Sequence, residues 1–104
     1  MNLDAYKTIN NPDKKRFELE IDGVLSVIEY TFKKSTNQMF LIHTEVDPSL
    51  RGKGVASKIV KEALDMIRTE GQELVPLCPF VVAFLKKHHE YHDLMNETNK
   101  ARFK

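Results

Sequence analysis

The sequence predicts an α/β fold: a mixed sheet in which antiparallel hairpin strands lead into a β-α-β unit and a C-terminal helix. Three observations predict it. Residues 17–46 hold three apolar runs with strand character, separated by turn signals. Residues 55–67 then switch to helical spacing. A short apolar run at residues 73–77 follows, so the helix joins two strands.

Each element has a local reason. Asn10-Asn11-Pro12-Asp13 is a turn cluster, with a short strand expected before it at residues 7–9. Phe17, Leu19 and Ile21 alternate with Glu18 and Glu20. Asp22-Gly23 is a hairpin signal, because both central residues of that turn favour positive φ. Residues 24–32 return as a second strand, rich in β-branched and aromatic side chains. Residues 33–37 are a polar turn, and residues 39–46 a third strand. Val55, Ile59, Val60, Ala63, Leu64 and Ile67 form one helix face, opposite Lys58, Lys61, Glu62, Asp65 and Arg68. Gly71 marks the helix end. Pro76 limits pairing of the next strand, and Pro79 suits the first turn of a helix that Lys86 onward ends. Phe80 and Phe84, one turn apart, read as core. The whole chain, residues 1–104, reads as one small domain with loosely ordered ends at 1–10 and 96–104.

Composition narrows the classes. The hydrophobic fraction is 41% and the charged fraction 30%, values usual for a globular protein. A net charge of +1 gives no electrostatic case for nucleic acid or a membrane as partner. Lys14-Lys15-Arg16 reads as a solvated approach to a strand. The single cysteine, Cys78, has no partner in the chain. No signal-peptide pattern opens the sequence, and no apolar run nears the ~20 residues of a membrane span, so a cytoplasmic protein is expected. An open sheet edge leaves a monomer or a weak homodimer as the expected state.

The loop after the third strand carries the main functional signal. Asp47-Pro48-Ser49-Leu50 breaks the strand, and Arg51-Gly52-Lys53-Gly54 leads directly into the helix at Val55-Ala56. The glycines let backbone approach a ligand, and the first N–H groups of the helix lack internal partners. The helix dipole and the two cations add positive potential, so an anion such as phosphate is suited there. A plain connection with its charges in water explains the same four residues. The loop is not a Walker sequence, and it lacks the third glycine of the dinucleotide fingerprint.

Arg51-x-x-Gly54-x-Ala56 resembles the Arg/Gln-x-x-Gly-x-Gly/Ala signature of the GCN5-related N-acetyltransferases. The resemblance is closest to their smallest branch. Arg16-Phe17-Glu18-Leu19, Ile28-Glu29-Tyr30, His43-Thr44-Glu45-Val46 and Val75-Pro76-Leu77-Cys78-Pro79-Phe80-Val81 add to it in order. The resemblance implies acetyl-CoA or coenzyme A as co-substrate, with no metal. It implies that backbone amides of Arg51, Gly52, Lys53, Gly54, Val55 and Ala56 hold the pyrophosphate. Backbone near Glu45 and Val46 would pair with the pantetheine arm. One departure is His88-His89-Glu90-Tyr91 where the branch carries His-Pro-Glu-Tyr, which questions how sharply the last helix ends.

Acyl transfer to an amine needs a base, a donor for the oxyanion and a protonated leaving thiol. Strict alternation would put His43 and Glu45 on one strand face with Met39 and Leu41, and Phe40, Ile42, Thr44 and Val46 on the other. Glu45 or His43 is the candidate base, although His43 also fits a structural role. Cys78 ends the other parallel strand beside a helix N-terminus, where thiols become more reactive. It is a candidate nucleophile or acid, set against the plainer reading of a buried small hydrophobe. The family's usual direct attack ranks above an acyl-cysteine. His88 and His92 lie one helical turn apart, but two histidines are too few for a closed zinc site. Tyr91 is expected to pack against the core rather than reach the leaving thiolate. The leading reading is an acetyl-CoA-dependent N-acetyltransferase with an unidentified amine acceptor. The alternatives are a non-catalytic coenzyme A or acyl-CoA-binding module and a phosphate- or nucleotide-binding α/β module of another kind.

Overall fold

The structure is a computed structural model that describes residues 2–103; Met1 and Lys104 lie outside the described residues. Five strands form one sheet: β1 (Ile9–Asn11), β2 (Arg16–Ile21), β3 (Val24–Lys33), β4 (Gln38–Glu45) and β5 (Glu73–Pro76). They lie in the order β1-β2-β3-β4-β5. The first four pair antiparallel, and β4 pairs with β5 in parallel. Helix α1 (Val55–Thr69) is the crossover between that parallel pair, and α2 (Pro79–Lys87) follows β5. A short helix, α3 (Glu97–Lys100), lies near the end. The mixed sheet, the β-α-β unit and the C-terminal helix are those expected from the sequence.

Turn chemistry sets the register. Asp22 and Gly23 both take positive φ, 51° and 81°, so β2 and β3 close as a tight hairpin. The first strand lies later than the sequence suggested, at Ile9–Asn11 rather than residues 7–9. Asn10 and Asn11 do not turn the chain. They pair with Phe17 and Arg16, and their side chains meet the Tyr30 hydroxyl and Glu18. The turn comes after Pro12, where the Lys15 N–H donates to the Pro12 carbonyl at 3.2 Å.

Val55, Ile59, Val60, Ala63, Leu64 and Ile67 on α1 are all buried. They pack in one core with Phe17, Leu19, Ile21, Ile28, Met39 and Leu41 from the sheet and Val81 and Leu85 from α2. Each large aliphatic side chain buried this way contributes about 1.5–3 kcal/mol. α1 ends as the sequence signals. The Gly71 N–H donates to the Arg68 carbonyl and the Gln72 N–H to that of Ile67, so the last carbonyls find partners. α2 ends at Lys87 without the family's proline. His88 leaves helical geometry at φ −127° and ψ 78° and stacks on Phe84 with ring centroids 4.0 Å apart.

The chain ends, expected to be loose, form defined turns within the described residues. Asn96 caps α3, and the Arg102 guanidinium donates to the Pro76 carbonyl at 2.8 Å. At the other end, the Thr8 N–H and hydroxyl both donate to the Glu62 carboxylate on α1, at 3.0 and 2.8 Å. Lys58 meets the second Glu62 oxygen at 3.1 Å. Burial alone would raise the Glu62 carboxyl, but the bonds from Thr8 and Lys58 outweigh it and lower it below the usual carboxylate range.

A carboxylate lowered in the folded state stabilises above its unfolded pKa, and that contribution fades as pH falls through the folded value. Glu62→Gln is therefore expected to lose about 1 kcal/mol near neutrality, the scale of a charge-assisted hydrogen bond. The gap to the parent protein should close below about pH 4. Urea unfolding at a series of pH values measures this, and a gap independent of pH would contradict it.

Candidate active site

The site begins where β4 and β5 part. Their pairing runs from Gln38 and Glu73 to Leu41 and Pro76. The Leu41 carbonyl then accepts from both the Leu77 and Cys78 N–H groups, at 3.0 and 2.9 Å. β4 runs on to Glu45, paired only with β3. Its far edge is left open beside α1.

The register breaks within this segment. Glu29 pairs with His43 and Tyr30 with Leu41, so Ile42 is an extra residue in β4, a bulge. One inserted residue flips everything beyond it to the other face. This corrects the facing expected from strict alternation. Thr44 joins Met39 and Leu41 on the buried side, at 6% exposure, while His43 and Glu45 are exposed on the opposite side. Strict alternation had put Thr44 opposite Met39 and Leu41. No glycine or proline marks Ile42, so the sequence carries no local sign of the bulge.

The loop between β4 and α1 closes the cleft. The Asp47 carboxylate accepts from the Ser49 N–H and hydroxyl at 2.9 and 2.7 Å, shaping a short turn over Pro48–Leu50. Those Ser49 bonds hold the Asp47 carboxyl below its ordinary range. Gly52 and Gly54 then take φ of 77° and 80°, the left-handed region that favours glycine. Gly54 is the N-cap of α1, with no side-chain hydrogen bond to the cap. The first helical bond runs from the Lys58 N–H to the Gly54 carbonyl at 3.0 Å. The N–H groups of Val55, Ala56 and Ser57 precede it, without helical partners. No acidic residue occupies the first turn. An unpartnered donor cluster at a helix start suits an anion.

A cleft of about 540 Å³ lies between these parts. His43, Glu45, Val46, Arg51, Gly52, Gly54, Val55 and Ala56 all line it. Two residues named from the sequence do not. Lys53 is exposed outside the lining. Cys78 is 2% exposed, and its sulfur lies 3.1 Å from the Thr44 hydroxyl. Thr44 itself lines the cleft, so the thiol sits behind it.

Sequence reasoning missed three lining residues. Thr44 was hidden by the bulge. Ser57 is an ordinary polar residue in the first turn of a helix. Phe80 read as core because it lies one turn from Phe84, yet it is 52% exposed on the cleft wall while Phe84 is buried. The His88 to His92 segment does other work. The His92 ring bonds the Leu85 carbonyl at 2.7 Å, and His89 stacks on His92. The Tyr91 hydroxyl donates to Asp65 at 2.7 Å, against α1. Asp65 is pulled up by burial, but bonds from Lys61 and Tyr91 outweigh this and lower it.

The fold and cleft define an α/β protein whose candidate site lies at the carboxyl ends of a parallel strand pair, facing a helix start. Comparison with known proteins gives the family. Residues 16–94 match the family described as GCN5-related N-acetyl-transferase. Protein NATD1 of Danio rerio is 31% identical over 87 residues, covering 76% of each chain. Protein NATD1 of Xenopus tropicalis is 28% identical over 82 residues, covering 73% of this chain and 72% of that one. The solution structure of a protein from Staphylococcus aureus, described as GCN5-like, superposes with a TM-score of 0.66 at 25% identity. That match covers 86% of this chain and 87% of the other. The chain belongs to the GCN5-related N-acetyltransferase family.

A Cβ at Gly54 would meet only Leu3 Cδ1, at 3.9 Å, so backbone strain rather than crowding opposes substitution there. Gly54→Ala is expected to destabilise the fold by about 1–2 kcal/mol, and Gly54→Asn by less. Urea unfolding checks the order, and an alanine variant as stable as the parent would contradict it.

Proposed function

We propose that this protein is an acetyl-CoA-dependent N-acetyltransferase that moves an acetyl group to an amine by direct attack. One observation carries the reading. The open edge of β4 and the unpartnered N–H end of α1 face one cleft, and both would be engaged by a single coenzyme A. The pyrophosphate would rest on backbone amides of residues 51–56, with Arg51 adding charge. The pantetheine arm would run along Glu45 and Val46 as a short added strand, towards the point where Leu41 releases β5.

This orientation sets the thioester near His43, Glu45 and Thr44. The acceptor nitrogen attacks the thioester carbon, and the carbon–sulfur bond breaks. The amine proton passes to Glu45 or His43, directly or through water. The coenzyme thiolate leaves and takes a proton. Positioning two reactants supplies roughly 7–11 kcal/mol, and a general base adds about 10²–10⁴-fold. A small site with few catalytic side chains is therefore sufficient.

Cys78 supports a second route through an acyl-cysteine, and it is also a candidate proton donor to the leaving thiolate. Its burial behind Thr44 favours direct attack as the main route. Thr44 gains a candidate role of its own. Its hydroxyl lines the cleft and touches the Cys78 sulfur, so it couples that thiol to the acyl end.

Coenzyme A or acetyl-CoA at about 100-fold its Kd should stabilise the protein by about 2.7 kcal/mol in thermal unfolding. No shift with either would sink the proposal. Thiol release from acetyl-CoA with a panel of amines and lysine peptides measures turnover. Binding without release would instead mark a non-catalytic coenzyme module.

Glu45→Gln is expected to lower the rate by about 10²-fold or more if Glu45 is the base. A loss below about tenfold in Cys78→Ala would remove both roles of the thiol. An acetyl adduct on Cys78 in intact mass spectra would favour the covalent route.

A further inference from the structure

A coenzyme whose pyrophosphate rests on the α1 start has two arms to place. The pantetheine arm takes the β4 edge in the reading above, on which this inference rests. The nucleoside arm must leave another way, and the structure offers one continuous path. A second cavity, of about 140 Å³, opens between the first turns of α1 and the outer side of α2. It shares Ala56, Ser57 and Phe80 with the main cleft, so the two are joined at the point where the pyrophosphate would lie.

The outward stripe of α2 along this cavity reads aromatic, small, cationic. Phe80 is exposed at the near end, Ala83 is exposed one turn on, and Lys87 is exposed one turn beyond. Residues three and four apart share a helix face, so these three line up. Alanine leaves room between the ring and the ammonium. His88 forms the far wall, its ring held flat against Phe84 at 18° between planes.

The charges nearby are not equivalent. Lys58 is bonded to Glu62, and Lys61 to Asp65. Lys87 has no acidic partner among the described residues, so its charge is available to a ligand. A cation at the far end of a groove that begins at a pyrophosphate site matches a ligand with a second phosphate beyond its diphosphate. Coenzyme A carries one on the 3′ carbon of its ribose.

We propose that the groove between α1 and α2 takes the adenosine arm of the coenzyme, and that Lys87 recognises the 3′-phosphate. Lys87 then sets the specificity of the site, separating coenzyme A from nucleotides that lack that phosphate.

Titration calorimetry of the full chain with coenzyme A and with 3′-dephospho-coenzyme A tests this. The parent protein should prefer coenzyme A by about tenfold, the scale of one hydrogen bond to a charged group. Lys87→Gln should bring coenzyme A down to the dephospho level and leave the dephospho affinity within about twofold. Ala83→Leu, which fills the groove from an exposed helical position, should weaken both nucleotides alike. Equal affinities in the parent protein would overturn the assignment, as would a preference that survives Lys87→Gln. Unchanged binding of both in Ala83→Leu would place the arm elsewhere and overturn it too. Those three outcomes leave the coenzyme reading standing, whereas no binding of either nucleotide to the parent protein overturns both.

Discussion

The Leu41 carbonyl accepts from the N–H groups of Leu77 and Cys78, and β4 and β5 pair no further. The site depends on this junction. Before it, the parallel strands are joined and buried. After it, β5 turns into α2 through Cys78 and Pro79, while β4 keeps its partner on one side only. An unpaired strand edge inside a folded domain is ordinarily a hazard, because its backbone groups invite another strand. Here that edge faces the α1 start across a cleft. An extended ligand arm would satisfy the edge, and an anion would satisfy the helix.

The bulge at Ile42 decides what that cleft displays. Without it, the alternation that buries Met39 and Leu41 would have buried His43 and Glu45 and exposed Thr44. Burying an ionised glutamate unpaired is expensive, so the inserted residue also resolves a conflict between the strand's polar end and the core. The result is a division of labour. Thr44 points inward to the Cys78 thiol, and Glu45 stays in water where it remains ionised. A chain that looks like a simple strand in sequence thus carries two chemistries on two faces.

The sheet order, the α1 face and the glycine loop were legible because each rests on local rules. Period 2 makes strands, period 3.6 makes α1, and positive φ selects glycine at positions 52 and 54. Several features were not legible. The bulge depends on cross-strand register, which no single stretch encodes. The exposure of Phe80 depends on how α2 docks. The position of β1 depends on Asn10 and Asn11 finding Tyr30 and Glu18, partners distant in sequence. Local pattern located the phosphate end of the candidate site; the acyl end took shape only through tertiary contacts.

Net charge misleads at this scale. The chain carries a formal +1, which by itself argues against any strong attraction to anions. Pairing redistributes that charge. Lys58, Lys61 and Arg68 on α1 are matched by Glu62, Asp65 and Asp93, and the Asp47 carboxylate is engaged by Ser49. Arg51, Lys53 and Lys87 have no ion-pair partner among the described residues. All three stand in the loop that leads into α1 or on the groove between α1 and α2. The helix dipole adds its partial positive charge at the same end. A nearly neutral protein thereby concentrates positive potential along one path, from the glycine loop to the end of α2. Opposite charges within about a Debye length, ~8–10 Å, are felt there far more than the sum over the whole surface. The position of the unpaired cations, rather than their number, is what makes a multiply phosphorylated ligand the best match for this surface.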